Sequence, residues 1–96
     1  MYLKLSGIIW YHDIVEKLEW KHNVNKNEVK EIFYYAKHFR FIEKGHSKDE
    51  NLYSVYGQTE NGSYLVVFFI YKRDKQALII SARDMTLSER RVYDKK

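Results

Sequence analysis

Residues 64–71 read Tyr-Leu-Val-Val-Phe-Phe-Ile-Tyr, an uninterrupted apolar run set just behind Asn61-Gly62. The run is far too short for a bilayer, which takes about 20 residues as a helix, and it fits a strand buried in a sheet. Asn-Gly favours a two-residue hairpin turn whose central positions both need positive φ, so a preceding strand is expected to fold back against the run. Residues 52–59 supply it, with Ser54 and Tyr56 on one side and Tyr53 and Val55 on the other. A strand that is apolar at every position needs a neighbour on each edge and cover on both faces. The chain is thereby committed to a sheet with residues 64–71 in its middle.

The flanking segments extend that sheet. Residues 39–44 alternate loosely as a strand, and residues 45–51 form a polar loop. Residues 72–76 are a charged connection, and residues 77–82 another buried strand. Residues 5–10 form a short apolar strand in which Gly7 marks a bulge or a close backbone approach. It must join the same sheet, because a lone strand leaves its backbone groups unpaired.

Between these strands the apolar period is helical. Ile14, Val15 and Leu18 line one face of a helix opening at His12 or Asp13, and Asn23 can take the left-handed conformation that ends it. Asn25 with Glu28 three residues later forms an N-terminal capping pattern for a second helix, whose inner face is Val29, Ile32, Phe33 and Ala36. Thr86 and Glu89 repeat the pattern at a terminal helix running through Tyr93. The expected fold class is α+β: an antiparallel-dominated sheet of four to five strands, two N-terminal helices on one face and a short C-terminal helix, in a single domain over 1–96.

Composition narrows the function classes. The 96 residues include no cysteine, which excludes disulfides and thiolate metal sites. His12, His22 and His38 flank helix ends without metal-ligand spacing, and no metal or cofactor is expected. Phosphate-loop and dinucleotide fingerprints are missing. The opening residues have neither the long apolar stretch nor the cleavage pattern of a signal peptide, so a cytoplasmic protein with no membrane association is expected. The net charge of +4 is unevenly placed. Residues 1–71 hold nine Lys/Arg and nine Asp/Glu, whereas residues 72–96 hold eight against four. A one-sided basic excess attracts polyanions, although ordinary charge variation on a solvated surface accounts for it equally well.

Three stretches carry a family resemblance: Tyr56-Gly57-Gln58-Thr59, then Asn61-Gly62 into the apolar run, and Ile80-Ser81-Ala82-Arg83-Asp84-Met85-Thr86 through Glu89-Arg90-Arg91 to Tyr93. Upstream, Trp10 precedes a helix, and His22-Asn23-Val24 leads into Glu28-Val29 and Ile32-Phe33. This order resembles the BrnT toxins. Asn23 stands where that family usually has glycine, and Lys44, His46 and Lys48 stand where arginines are more typical.

The resemblance implies a bacterial RelE-like toxin that cleaves RNA and pairs with a DNA-binding antitoxin of ribbon-helix-helix type, as a homodimer or a toxin–antitoxin heterotetramer. Metal-free RNA cleavage needs a base for the 2′-hydroxyl, cations for the charged phosphorane and a donor for the leaving oxygen. On that implication Arg83 and Arg90 are the expected phosphate ligands, with Tyr93 beside Arg90 and His46 as the candidate general base. Lys72, Arg73 and Arg91 are expected to touch the RNA backbone. Each has a plainer alternative: a salt bridge from Arg83 to Asp84 or Glu89, packing for Tyr93, solvation for Lys72 and Arg73. Glu89 reads as a capping residue. Tyr34, Tyr35, Tyr53, Tyr56, Tyr64 and Tyr71 are candidates for stacking on bases, or for packing. The alternative function is a non-catalytic interaction module that binds the same antitoxin and assists transcriptional autoregulation.

Overall fold

A computed structural model describes residues 3–35, 39–46 and 50–95; Ala36, His38 and Lys48, named above, lie outside them. The elements follow the order β1 (Gly7–Ile9), α1 (His12–His22), α2 (Lys26–Tyr35), β2 (Phe39–Glu43), β3 (Leu52–Gln58), β4 (Tyr64–Tyr71), β5 (Gln76–Asp84) and α3 (Leu87–Asp94). The five strands form one sheet in the order β1-β5-β4-β3-β2, with β4 central. Only the β1–β5 pair is parallel; β2 through β5 make the expected antiparallel meander.

Helix ends follow local chemistry. Asn23 sits at φ 54°, and the reversal it makes lets Val24 N–H reach the Leu18 carbonyl at 3.0 Å. Asn25 and Glu28 exchange reciprocal bonds, Glu28 N–H to Asn25 Oδ1 at 2.9 Å and Asn25 N–H to Glu28 Oε1 at 3.1 Å. The start of α1 differs: Tyr11 is its N-cap and supplies no side-chain bond.

The two turns that flank β4 share one geometry. Thr59 N–H bonds Ser63 C=O and Gly62 N–H bonds Thr59 C=O, both at 2.9 Å. Lys72 N–H bonds Gln76 C=O and Lys75 N–H bonds Lys72 C=O, again at 2.9 Å. In each a three-residue loop ends in a left-handed residue, Gly62 at φ 93° and Lys75 at φ 69°. Asn61 does not have positive φ, so the expected two-residue turn is replaced by this longer one.

Gly7 is not a bulge: β1 pairs without interruption, Gly7 opposite Gln76 and Ile9 opposite Leu78. A Cβ at Gly7 would meet only the tip of the Gln76 side chain, at 3.4 Å. The register shifts lie between Phe41 and Glu43 and between Phe68 and Phe69. Two glycines are constrained: a Cβ at Gly45 would run into the Glu50 backbone carbonyl, and one at Gly57 would meet Ile32 Cδ1 of α2 at 2.8 Å.

Both N-terminal helices cover one face. Leu18, Val24, Val29 and Ile32 pack on Val55, Leu65, Val67, Phe69, Ile79 and Ala82 as a single core. Tyr53 and Tyr71 pack against it, joined by ring contacts to Phe69 and to each other. The other face receives α3 at one end only. Val66 is fully buried there, but Phe68 and Ile70 are only half-buried, so the expected cover on both faces of β4 is incomplete.

Candidate functional site

The partly open face is built by register. Tyr56 pairs with Val66, and Val66 with Arg83, so three strands place these side chains in one row. The next row toward α3 holds Gln58 and Tyr64, and the next away holds Ser54, Phe68 and Ser81. Beyond Tyr64, Met85 N–H bonds the Tyr64 carbonyl at 2.9 Å, carrying the chain straight from β5 into α3.

Thr86 begins α3 with a complete capping box. Its Oγ1 accepts from Glu89 N–H at 3.1 Å, and its own N–H donates to Glu89 Oε1 at 2.8 Å. The same carboxylate clamps Arg83 end-on, Nη1 to Oε1 at 2.7 Å and Nη2 to Oε2 at 3.0 Å. Nη1 also donates to the Asp84 carbonyl at 3.0 Å. The Arg83 hydrogen bonds, aided by the Thr86 N–H, hold the Glu89 carboxyl down at about 2 against the cost of its partial burial. Reciprocally, Glu89 raises the pKa of Arg83. The guanidinium lies 5.4 Å from the Phe68 ring centre, and its side chain remains 35% exposed.

End-on clamping uses only part of a guanidinium. Nε–H and the outer Nη2–H lie side by side along the remaining edge, and among the described residues nothing accepts from them. Such an edge matches two oxygens of a phosphate. Arg90 lies over the adjacent row, its Cζ 3.8 Å from the Tyr64 ring centre, while Tyr93 meets the same ring edge-on at 5.9 Å. Three-residue spacing therefore brings Arg90 and Tyr93 to one tyrosine, and Tyr93 also packs α3 onto the sheet. Arg91 is exposed on another side of the helix.

The remaining predicted residues are elsewhere. Lys72 and Arg73 occupy the β4–β5 turn, six residues along β4 from Val66, or about 20 Å at the usual strand rise. Lys72 Nζ is held by Glu50 at 2.9 Å, and the Arg73 N–H reaches the other oxygen of that carboxylate at 3.3 Å. This pairing lowers the Glu50 pKa and raises that of Lys72. His46 is exposed in the β2–β3 loop at this same far end, so the sheet does not bring it to Arg83. Tyr34 and Tyr35 are exposed on α2, across the sheet from the arginines.

A cavity of 540 Å³ opens under the α1–α2 junction at the Arg83 end, but on the opposite face. Glu19, His22, Glu28 and Asp84 line it, and among the described residues no Lys or Arg does, so its charge disfavours phosphate. Among the described residues no three His, Cys, Asp or Glu side chains converge as metal ligands would, and no helix is long and apolar enough to cross a membrane.

Sequence reasoning undervalued two residues. Glu89 does cap α3, but it also fixes Arg83, and the shared clue was its position six residues from that arginine. Tyr56 shares the Arg83 row, and only its side of the strand was legible in advance. No curated protein matches the chain. The family model described as ribonuclease toxin, BrnT, of type II toxin–antitoxin system matches residues 12–89, a span running from the first residue of α1 to the Glu89 clamp. The chain belongs to the BrnT family of type II toxin–antitoxin ribonuclease toxins.

Proposed function

We propose that this chain is a metal-independent endoribonuclease toxin that cleaves RNA to arrest growth, with its phosphate site at Arg83 and Arg90. The observation that carries the reading is the Arg83 guanidinium, fixed end-on by Glu89 and open along its other edge, with Arg90 over Tyr64 one row along the same face. A cation immobilised before the substrate arrives needs no reorganisation as charge develops, which is where electrostatic catalysis gains most. In this scheme the 2′-hydroxyl attacks the scissile phosphorus. Arg83 grips two phosphate oxygens through its free edge, and Arg90 stabilises the added charge. Tyr93 keeps Tyr64, and with it Arg90, in place. Arg91 lends long-range attraction to the RNA backbone, and Lys72 and Arg73 extend the track at the far end. His46 enters no step, because it stands at that far end.

The toxin acts in the cytoplasm, and its partner is a ribbon-helix-helix antitoxin. The half-buried Phe68 and Ile70, with the 40% exposed Ile80, give that partner apolar ground next to the arginines. Antitoxin bound there covers the phosphate site in a toxin–antitoxin heterotetramer.

The test is cleavage of RNA by antitoxin-free protein in excess EDTA. Wild type is expected to cut, and Arg83→Ala to lose at least about 100-fold in kcat, the scale set by removing one preorganised donor. Circular dichroism and a thermal melt establish that the variant is folded. Full activity in folded Arg83→Ala refutes the site. No cleavage by wild type, with antitoxin binding intact, supports the non-catalytic interaction module instead.

A further inference from the structure

We propose that Tyr56 is the general acid that protonates the departing 5′-oxygen, opposite Arg83 across Val66. The inference rests on RNA cleavage by 2′-hydroxyl attack and supplies the proton donor which that reaction needs. Tyr56 and Arg83 flank Val66 on neighbouring strands, all three on the face away from α1 and α2. Two strand spacings put their backbones about 10 Å apart, within reach of two long side chains leaning toward each other. Val66 between them is 0% exposed, although the face beyond it, at Phe68 and Ile70, is half-open.

The Tyr56 hydroxyl is also free. Tyr35 donates to Glu60 and Tyr71 to the Lys4 carbonyl, whereas Tyr56 has no hydrogen-bond partner among the described residues. Tyr64, the other tyrosine on this face, has its ring occupied by Arg90 and Tyr93. After the dominant effect of Glu89, a small coulombic effect of Tyr56 is among the causes that raise the pKa of Arg83, which fits two side chains near each other on one face.

The chemistry is matched to a phenol. The 2′-oxygen forms a bond to phosphorus and releases its proton to water. The P–O5′ bond breaks, its electron pair goes to O5′, and the Tyr56 O–H proton is transferred there. The phenolate left behind lies across Val66 from the Arg83 guanidinium, and water returns its proton. The products are a 2′,3′-cyclic phosphate and a 5′-hydroxyl.

The experiment compares wild type and Tyr56→Phe on an RNA oligonucleotide and on the same oligonucleotide with sulfur replacing the bridging 5′-oxygen. A thiolate leaves without a proton, so only the oxygen substrate needs the acid. Tyr56→Phe is expected to lose about 100-fold or more in kcat on the oxygen substrate with KM unchanged, and to match wild type within about threefold on the sulfur substrate. An equal loss on both substrates makes Tyr56 structural and overturns the proposal, as does no loss on either. Tyr64→Phe keeps the ring that Arg90 covers; a sulfur-rescued loss there instead assigns the acid to Tyr64. If wild type cuts neither substrate, the cleavage reading itself fails and takes this assignment with it.

Discussion

The two ends of the sheet each carry a cation paired with a carboxylate, and they use it in opposite ways. At the far end Glu50 takes both the Lys72 ammonium and the Arg73 backbone N–H, so the Lys72 charge is largely matched locally. Lys72 is a compact charge on a flexible stem, and a partner at 2.9 Å occupies it. At the near end Glu89 takes one edge of Arg83 and leaves the other, and Arg90 and Arg91 have no ion pair among the described residues. A carboxylate beside a phosphate site looks like a liability by charge alone. Here it converts a mobile arginine into a fixed one. Which edge a carboxylate occupies matters more than its presence.

Paired substitutions at the two ends break or sharpen this contrast. The largest difference is expected in cleavage: Arg83→Ala falls by at least about 100-fold, while Lys72→Ala and His46→Ala stay within about threefold of wild type. Single-turnover rates under EDTA decide it, and comparable losses at both ends would mean that RNA uses the whole sheet. Next comes the clamp. Glu89 carries a pKa of about 2 against an ordinary 4.5, so its stabilising contribution is fully present above about pH 4.5 and is lost as pH falls through 2. Glu89→Gln is expected to cost about 1–2 kcal/mol at pH 7, discounted for solvent screening, with the gap closing as wild type is acidified. Urea melts at pH 7 and pH 2.5 measure this; a gap that stays constant would sink the linkage. The smallest effect belongs to the far turn itself. Lys75 holds a left-handed φ of 69°, and Lys75→Gly is expected to stabilise the protein by about 0.5–1 kcal/mol and raise Tm by a few degrees without altering cleavage.

Much of this arrangement was legible in local spacing. Asn25 with Glu28 and Thr86 with Glu89 announced their helices because a capping box is complete within four residues. The parity of Ser54 and Tyr56 against Tyr53 and Val55 held, because side chains alternate along any strand. Register across strands was not legible. That Tyr56 faces Arg83 depends on two hairpins and on the shift at Phe68–Phe69, none of which a single strand's pattern encodes. Nearness in sequence also says little about nearness in space: His46 lies among lysines, and its loop opens at the opposite end of the sheet from Arg83. Asn61-Gly62 located a turn, while its length was settled by the bonds of Thr59, which pairs with Ser63 and not with a nearer residue.

Helix α3 contributes no residue to the buried core. It is held by the Thr86–Glu89 box, the Arg83 clamp and the Tyr93 and Arg90 contacts with Tyr64. Polar fastening of this kind opens at lower free energy than a packed sheet, so α3 forms a separate unit of local unfolding. Its amides should exchange with solvent well before those of β4, and a molecule with α3 detached keeps its core while losing Arg90 and the clamp on Arg83 at one stroke. If the proposed phosphate site is the active one, loss of cleavage and loss of the fold are therefore separable, and a partner that pulls α3 away would disable that site without unfolding the sheet.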